Sequence, residues 1–337
     1  MTAENWLYLI IALVVFNYLF STVLDFINGK NWRTEIPPIM QDYYDEDKYL
    51  KAKNYSKEKG NVSLISSTLN TLITLLFLVF EGYGWLDNFI SLYYDIPFLK
   101  SGIFFLVLFI LSDFISIPFS CYNTFVIEEK YGFNKMTVKT FVLDKIKGYL
   151  LTLIIGGILL FGAIYIVSLL ENGFWVWLWI SLSVIMLLVN MFYADLIVPI
   201  FNTLTPLESG DLREKIESYT KKVGYSLKNI YIIDGSKRSS KANAFFSGLG
   251  PRKTIALYDT LVEKHTQEEL VAVLAHEVGH YKKKHVFTSL FLTISQLGLM
   301  CFLLETCLKV GEISQAFGGK EMVFHLGLVA FGILYSP

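Results

Sequence analysis

The amino-acid sequence predicts a polytopic, mainly α-helical membrane protein with one small α+β domain outside the bilayer. Three observations lead there. The 337-residue chain is 53% hydrophobic and only 18% charged, with a mean hydropathy of +0.47, whereas soluble domains sit near about 45–50% apolar and 25% charged. The excess is concentrated in runs of about 20 apolar residues, the length that crosses a hydrocarbon core. Between Phe201 and His285 the pattern changes to short amphipathic segments typical of a water-soluble fold.

Taken in order, the first span is expected at Trp6 to Ile27. No basic residue precedes it and no small-residue cleavage site follows, so a removable signal peptide is not expected. A polar segment, Asn28 to Asn61, separates it from spans at Val62 to Ile90 and Phe98 to Tyr122. The polar connection Val126 to Lys147 leads to spans at Gly148 to Leu170 and Phe174 to Ile200. In the soluble stretch, Leu212 to Val223 reads as a helix, and Ile230 to Ile233, Ala244 to Phe246 and Thr254 to Tyr258 as strands. A sixth span follows at Val286 to Val310, and a seventh apolar run starts at Met322. The implied division is a membrane domain over 1–200, a soluble domain over 201–285, and a last membrane segment over 286–337.

Charge orients these spans. Lys30, Arg33, Lys48, Lys51, Lys53, Lys57 and Lys59 follow the first span. Lys130, Lys135, Lys139, Lys145 and Lys147 follow the third, and Lys282 to Lys284 close the soluble domain. The opposite loops hold little more than Lys100 and Lys320. By the positive-inside rule the soluble domain is cytosolic. The balance of 29 basic and 30 acidic residues leaves a net charge of −1, so no nucleic-acid partner is expected. Cys121, Cys301 and Cys307 lie in or beside apolar runs without CxxC spacing and read as small buried residues. Asn70, Glu81, Asp113, Asn190 and Asp195 fall at or near membrane depth, where polar side chains bond between helices or face a wet cavity.

The chemistry is carried by Thr266 to His285, TQEELVAVLAHEVGHYKKKH. Thr266 and Glu269 form a capping-box pair, and Leu270, Val273 and Leu274 give the following helix an apolar face. Within it, His276-Glu277-Val278-Gly279-His280 is an HExxH pattern. Side chains at i and i+4 share a helical face, so His276 and His280 can hold one Zn²⁺, with Glu277 beside them as general base. Chance occurrence of two surface histidines is the bland alternative; the cap and the apolar run argue for the zinc hydrolase.

A catalytic zinc needs a third protein ligand. If the helix runs unbroken into the sixth span, Glu305 lies about 37 Å along the axis from His280. Glu312, Glu321 and His325 fall on the far side, and His325 reads as a packed or interfacial histidine. His285 is expected to point about 140° away from His280 and to be solvated. The third ligand is therefore expected after Pro337, the chain reading as a shortened piece of a longer protein.

The chain resembles the type I CAAX prenyl endopeptidases over essentially its whole length. The markers are Pro118-Phe119-Ser120 through Phe125 to Lys135 (FVIEEKYGFNK), Pro199 to Asn202 with Thr205-Pro206-Leu207, Ser239 to Gly248, and Val273 to His280. The resemblance implies a barrel of seven spans around a chamber, closed by a zincin-type protease domain. It implies one Zn²⁺ per chain on His276 and His280, with Glu277 as catalytic base. Asn243, Ala244 and Phe245 become substrate-binding residues at a strand edge, although for Asn243 a structural turn role stays open. The family's third ligand is a glutamate in an ExxAD-type motif after the seventh span. The implied substrates are prenylated CaaX proteins losing their last three residues, or other membrane-associated peptides. The implied location is the endoplasmic reticulum and inner nuclear membrane in a eukaryote, or the cytoplasmic membrane in a bacterium. Quality control of membrane proteins is one alternative; a non-catalytic chamber that binds lipidated peptides is another.

Overall fold

The structure is a computed structural model that describes residues 1–32, 35–43, 45–170, 172–224, 229–247, 254–320 and 322–335. Arg33, Gly248, Glu321 and Pro337, used in the sequence argument, lie outside these residues. Among those described, six helices are long and apolar enough to cross a membrane, and their apolar windows are only 0–11% buried within the protein. Packing against protein does not account for that much exposed hydrocarbon, whereas lipid does. The chain divides into two compact units, Met1–Tyr131 with Leu159–Gly173 and Phe302–Pro337, and Gly132–Ile158 with Phe174–Cys301.

The first unit begins with α1 (Ala3–Lys30) and α2 (Glu46–Val79). Helix α2 starts well before the apolar run because Asp45 caps it, its carboxylate accepting the Lys48 N–H at 3.0 Å. The expected second span is corrected at its other end also. The helix stops at Val79, Glu81 takes a left-handed φ of 50°, and a separate α3 (Gly82–Ser91) follows. Next comes α4 (Pro97–Tyr122), which contains Pro118 and continues as one π-helical segment, Asn123–Glu128. A proline inside a helix lacks its N–H donor and crowds the preceding turn, and a π-bulge is one way to absorb that. The remainder comprises the C-terminal part of α5 (Val138–Leu169), the end of α11 (His285–Leu308), α12 (Gly311–Ala316) and α13 (Phe324–Tyr335). Ile10, Leu78, Leu86, Phe104, Phe317 and Leu326 form its apolar core.

The second unit carries the start of α5, then α6 (Phe174–Phe192), which passes through a π segment, Tyr193–Ile197, into α7 (Val198–Phe201) at Pro199. Beyond them stand β1 (Leu204–Pro206), α8 (Asp211–Lys222), β2 (Asn229–Ile233), β3 (Ala244–Ser247), β4 (Thr254–Tyr258), α9 (Asp259–Lys264) and α10 (Gln267–Lys282). The sheet order is β1-β2-β4-β3. Strands β2 and β4 pair in parallel, and β3 pairs antiparallel with β4, Phe245 opposite Ala256. Strand β3 is thus an edge, with one side of its backbone ladder open among the described residues. Ile216 of α8, Ile255 and Leu257 of β4, and Leu270 and Leu274 of α10 make a core between sheet and helices. Where α6 meets α11, the Trp179 indole N–H donates to the Ile294 carbonyl at 2.8 Å. Gly298 lies under that ring, and a Cβ there would stand 3.0 Å from it.

Candidate active site

The local sequence folds α10 as its residue types dictate. The Thr266 N–H donates to Glu269 Oε2 at 2.8 Å, and the Glu269 N–H donates back to Thr266 Oγ1 at 3.3 Å. Both bonds of the expected capping box are present. Leu270, Leu274 and Val278, spaced four apart, are buried at 1%, 0% and 1% exposure. This stripe fixes the rotation of the helix against the sheet. His276 and His280 are therefore turned away from the core and are exposed, while Glu277 is half-buried.

The two imidazoles meet. His276 Nε2 and His280 Nε2 are 3.1 Å apart, with ring centroids separated by 4.8 Å. Two nitrogens bound at about 2.0–2.1 Å to one tetrahedral cation would stand about 3.3 Å apart. The donor pair thus fits a zinc-like ion in both atom type and separation. Among the described residues, no group of three His, Cys, Asp or Glu side chains converges on one point.

The helix does not run on into the sixth span. It ends at Lys282, Lys284 adopts φ 58°, and α11 starts at His285. The expected position of His285 is corrected accordingly: its Nδ1 lies 2.9 Å from His280 Nδ1. Glu305 is occupied elsewhere, accepting the Gly173 N–H at 2.9 Å and pairing with Lys309 at 2.6 Å.

Asn243 stands immediately before the edge strand. Its side-chain oxygen accepts the Ala244 N–H at 2.9 Å, and its backbone carbonyl accepts the Tyr258 N–H at 3.0 Å. Ala244 and Phe245 are half-buried on β3. Tyr193, in the π segment after α6, packs edge-on against Phe245 with centroids 6.1 Å apart.

Gly132 to Lys135 have a structural role that their residue types do not announce. Gly132, with φ 78°, turns the chain so that it runs beside Arg238 to Ser240, the segment leading into β3. The Lys135 N–H donates to the Arg238 carbonyl, the Ser240 N–H to the Phe133 carbonyl, each at 3.0 Å, and Asn134 bridges to Ser239. Arg238 locks the segment further. It forks onto Asp144 at 2.7 and 2.9 Å and reaches the Phe201 carbonyl at 2.6 Å. Asp144 accepting these bonds pushes the guanidinium further above its ordinary value. The signal in the sequence was the co-occurrence of a lone Asp in the basic loop and an Arg before the strand; nothing local pairs them.

Two of the polar residues expected at membrane depth are placed. Asn70, with Asn17, Tyr18, Ser21, Asp25 and Ser67, lines a cavity of about 470 Å³ between α1 and α2. Asn190 instead donates to the Met186 carbonyl of its own helix at 3.0 Å.

Membrane-spanning helices joined to an HExxH helix on a small edge-open sheet define a class, the integral-membrane metallopeptidases. Comparison narrows the class to a family. Residues 25–203 match the family described as CAAX prenyl protease N-terminal, five membrane helices, and residues 206–335 match peptidase family M48. CAAX prenyl protease 1 of Saccharomyces cerevisiae is 33% identical, over 90% of this chain and 73% of its own length. The Dictyostelium discoideum homolog is 34% identical, over 99% and 80%. The crystal structure of S. mikatae Ste24p superposes with a TM-score of 0.92 at 31% identity, over 98% of this chain and 82% of that one. The chain belongs to the M48 CAAX prenyl protease family and is a multi-span, membrane-embedded metalloendopeptidase.

Proposed function

We propose that this protein is a zinc-dependent endopeptidase that removes the C-terminal tripeptide of prenylated CaaX proteins on the cytosolic side of its membrane. The observation that carries the reading is the Nε2 pair of His276 and His280, 3.1 Å apart, with Glu277 beside them on one capped helix. Relatives named as CAAX prenyl proteases supply the substrate class. A lipid-bearing client also explains a protease built into a bilayer, since each buried methylene contributes about 0.8 kcal/mol to membrane attachment.

In this reading His276 and His280 hold the zinc through Nε2. Bound there, zinc would supply Lewis acidity to the scissile carbonyl and to the attacking water. The Glu277 carboxylate takes the water proton and returns it to the leaving amine nitrogen. The substrate adds as a strand to the open side of β3, its backbone bonding along Ala244 and Phe245, with Asn243 at the entry. Strand addition sets the register, so that alternate substrate side chains face the Tyr193–Phe245 pair. The basic loops support a cytosolic protease domain over 201–285, and the family resemblance implies the endoplasmic reticulum as its membrane in a eukaryote.

The test is zinc content together with cleavage of a farnesylated CaaX peptide, compared between the protein and its Glu277→Ala variant. Zinc bound by both and cleavage by the first alone is the expected result. Equal cleavage by both removes Glu277 from the chemistry.

A further inference from the structure

Beyond the two histidines of the motif, a third imidazole is held against the site by an unusual piece of backbone. On a straight helix His285 would point about 140° away from His280. It does not, because Lys284 takes the left-handed conformation, φ 58°, between the end of α10 and the start of α11. Non-glycine residues adopt that conformation rarely, and where the surroundings enforce it the site merits a functional explanation. Its consequence here is to bring His285 Nδ1 to 2.9 Å from His280 Nδ1, with ring centroids 5.0 Å apart.

Resting on the zinc reading above, we infer that His285 is a positioning residue for His280. Nitrogen bookkeeping supports the role. To offer a lone pair at Nε2, a neutral His280 ring must carry its proton on Nδ1. That proton then points at His285 Nδ1, which accepts it if His285 is protonated on its own Nε2. Each ring thus holds one proton, and the contact fixes both the tautomer and the orientation of His280. His285 approaches His280 on its Nδ1 side, while His276 approaches on the Nε2 side, so the three rings do not converge. It is therefore placed as a support behind the ligand and not as a third ligand. Histidine ligands commonly have such a partner on the second nitrogen, most often a carboxylate or carbonyl. Here an imidazole does the same work.

The experiment is zinc affinity, measured by competition with a chromophoric chelator on protein first stripped of metal. His285→Ala is expected to weaken zinc binding by about 10- to 100-fold. Its metal-free unfolding midpoint should not move, because the His285 side chain is exposed and outside either core. His285→Asn, whose side-chain oxygen can accept the same proton, is expected to recover most of the affinity. Zinc affinity of His285→Ala within twofold of the unsubstituted protein, or His285→Asn as weak as His285→Ala, would overturn the assignment. His276→Ala is the control that separates the two readings. If it binds zinc as well as the unsubstituted protein, the metal site itself is wrong and the inference goes with it. If it loses zinc while His285→Ala does not, only the positioning role is lost.

Discussion

His325 Nε2 lies 2.9 Å from Asp87 Oδ1, and the opposite nitrogen of the ring lies 3.0 Å from Ser101 Oγ. The three side chains join the first turn of α13 to α3 and to the start of α4. Their order is that of a hydrolase triad, but Ser101 and His325 are each 2% exposed, so no substrate reaches the hydroxyl. The network is a structural joint, with the Phe104 ring packed on the imidazole at 4.3 Å. Asp87→Ala leaves a buried ring nitrogen without its partner and should cost about 2 kcal/mol. Asp87→Asn retains an oxygen acceptor and should cost less than half of that loss. Thermal unfolding in detergent reads both, and a melting curve for Asp87→Ala that overlays the unsubstituted protein rules out the joint.

Gly84 of α3 packs against the backbone of Gly318, just after α12, in the same unit. A Cβ on Gly84 would lie 2.4 Å from the Gly318 carbonyl carbon and oxygen, and Gly318 itself has φ 84°. Backbone cannot swing aside as a side chain can, so one methyl group must separate α3 from the loop after α12. Gly84→Ala should destabilise by about 1–3 kcal/mol, the usual range for overpacking. Gly60→Ala, which meets nothing within 4 Å, is the matched control and should be neutral or slightly stabilising. Detergent melting curves of the two variants should therefore separate clearly.

Asn243 has two possible jobs, and kinetics distinguish them. Its side-chain oxygen already accepts the Ala244 N–H, which is what a turn residue does. It also stands where a polypeptide adding to β3 would begin. Asn243→Ala is expected to raise KM for a farnesylated peptide about tenfold, the equivalent of one lost hydrogen bond, with the melting temperature held. A lowered melting temperature with unchanged KM would assign Asn243 to the turn alone.

Much of this fold was legible because it rests on local rules. The α10 cap was readable from Thr266 and Glu269, and each strand of the protease sheet except β1 was readable from short β-branched or aromatic runs. Strand β1 escaped because three residues ending in Pro206 carry too little periodicity to register. Hydropathy misplaced the ends of α2 because it senses lipid contact and not helicity. The charged turns from Glu46 to Gly60 are helical through their cap and their Ala, Lys and Glu content, while Glu81 breaks an apolar run that looks continuous. At the site, the motif histidines follow from helical spacing. The place of His285 does not, since it depends on one left-handed lysine that residue type does not announce.

The partnership of Arg238 with Asp144 was equally invisible, being a long-range pairing of residues 94 apart. Arg238 ties the start of α5 and the end of α7 to the segment that leads into the edge strand, so its loss should loosen β3 and not the zinc site. Lysine cannot reproduce the fork, because one ammonium replaces a planar array of donors. Arg238→Lys should therefore destabilise the second unit by about 2 kcal/mol, the range for a charge-assisted hydrogen bond at a partly buried site. Zinc affinity should stay within twofold while KM for a farnesylated peptide rises, because the strand that receives substrate is less well held. Limited proteolysis supplies the independent reading: cleavage should move to the stretch from Ser239 to Asn243. A variant cut no faster there than the unsubstituted protein, with KM unchanged, would show that the segment keeps its place without the guanidinium.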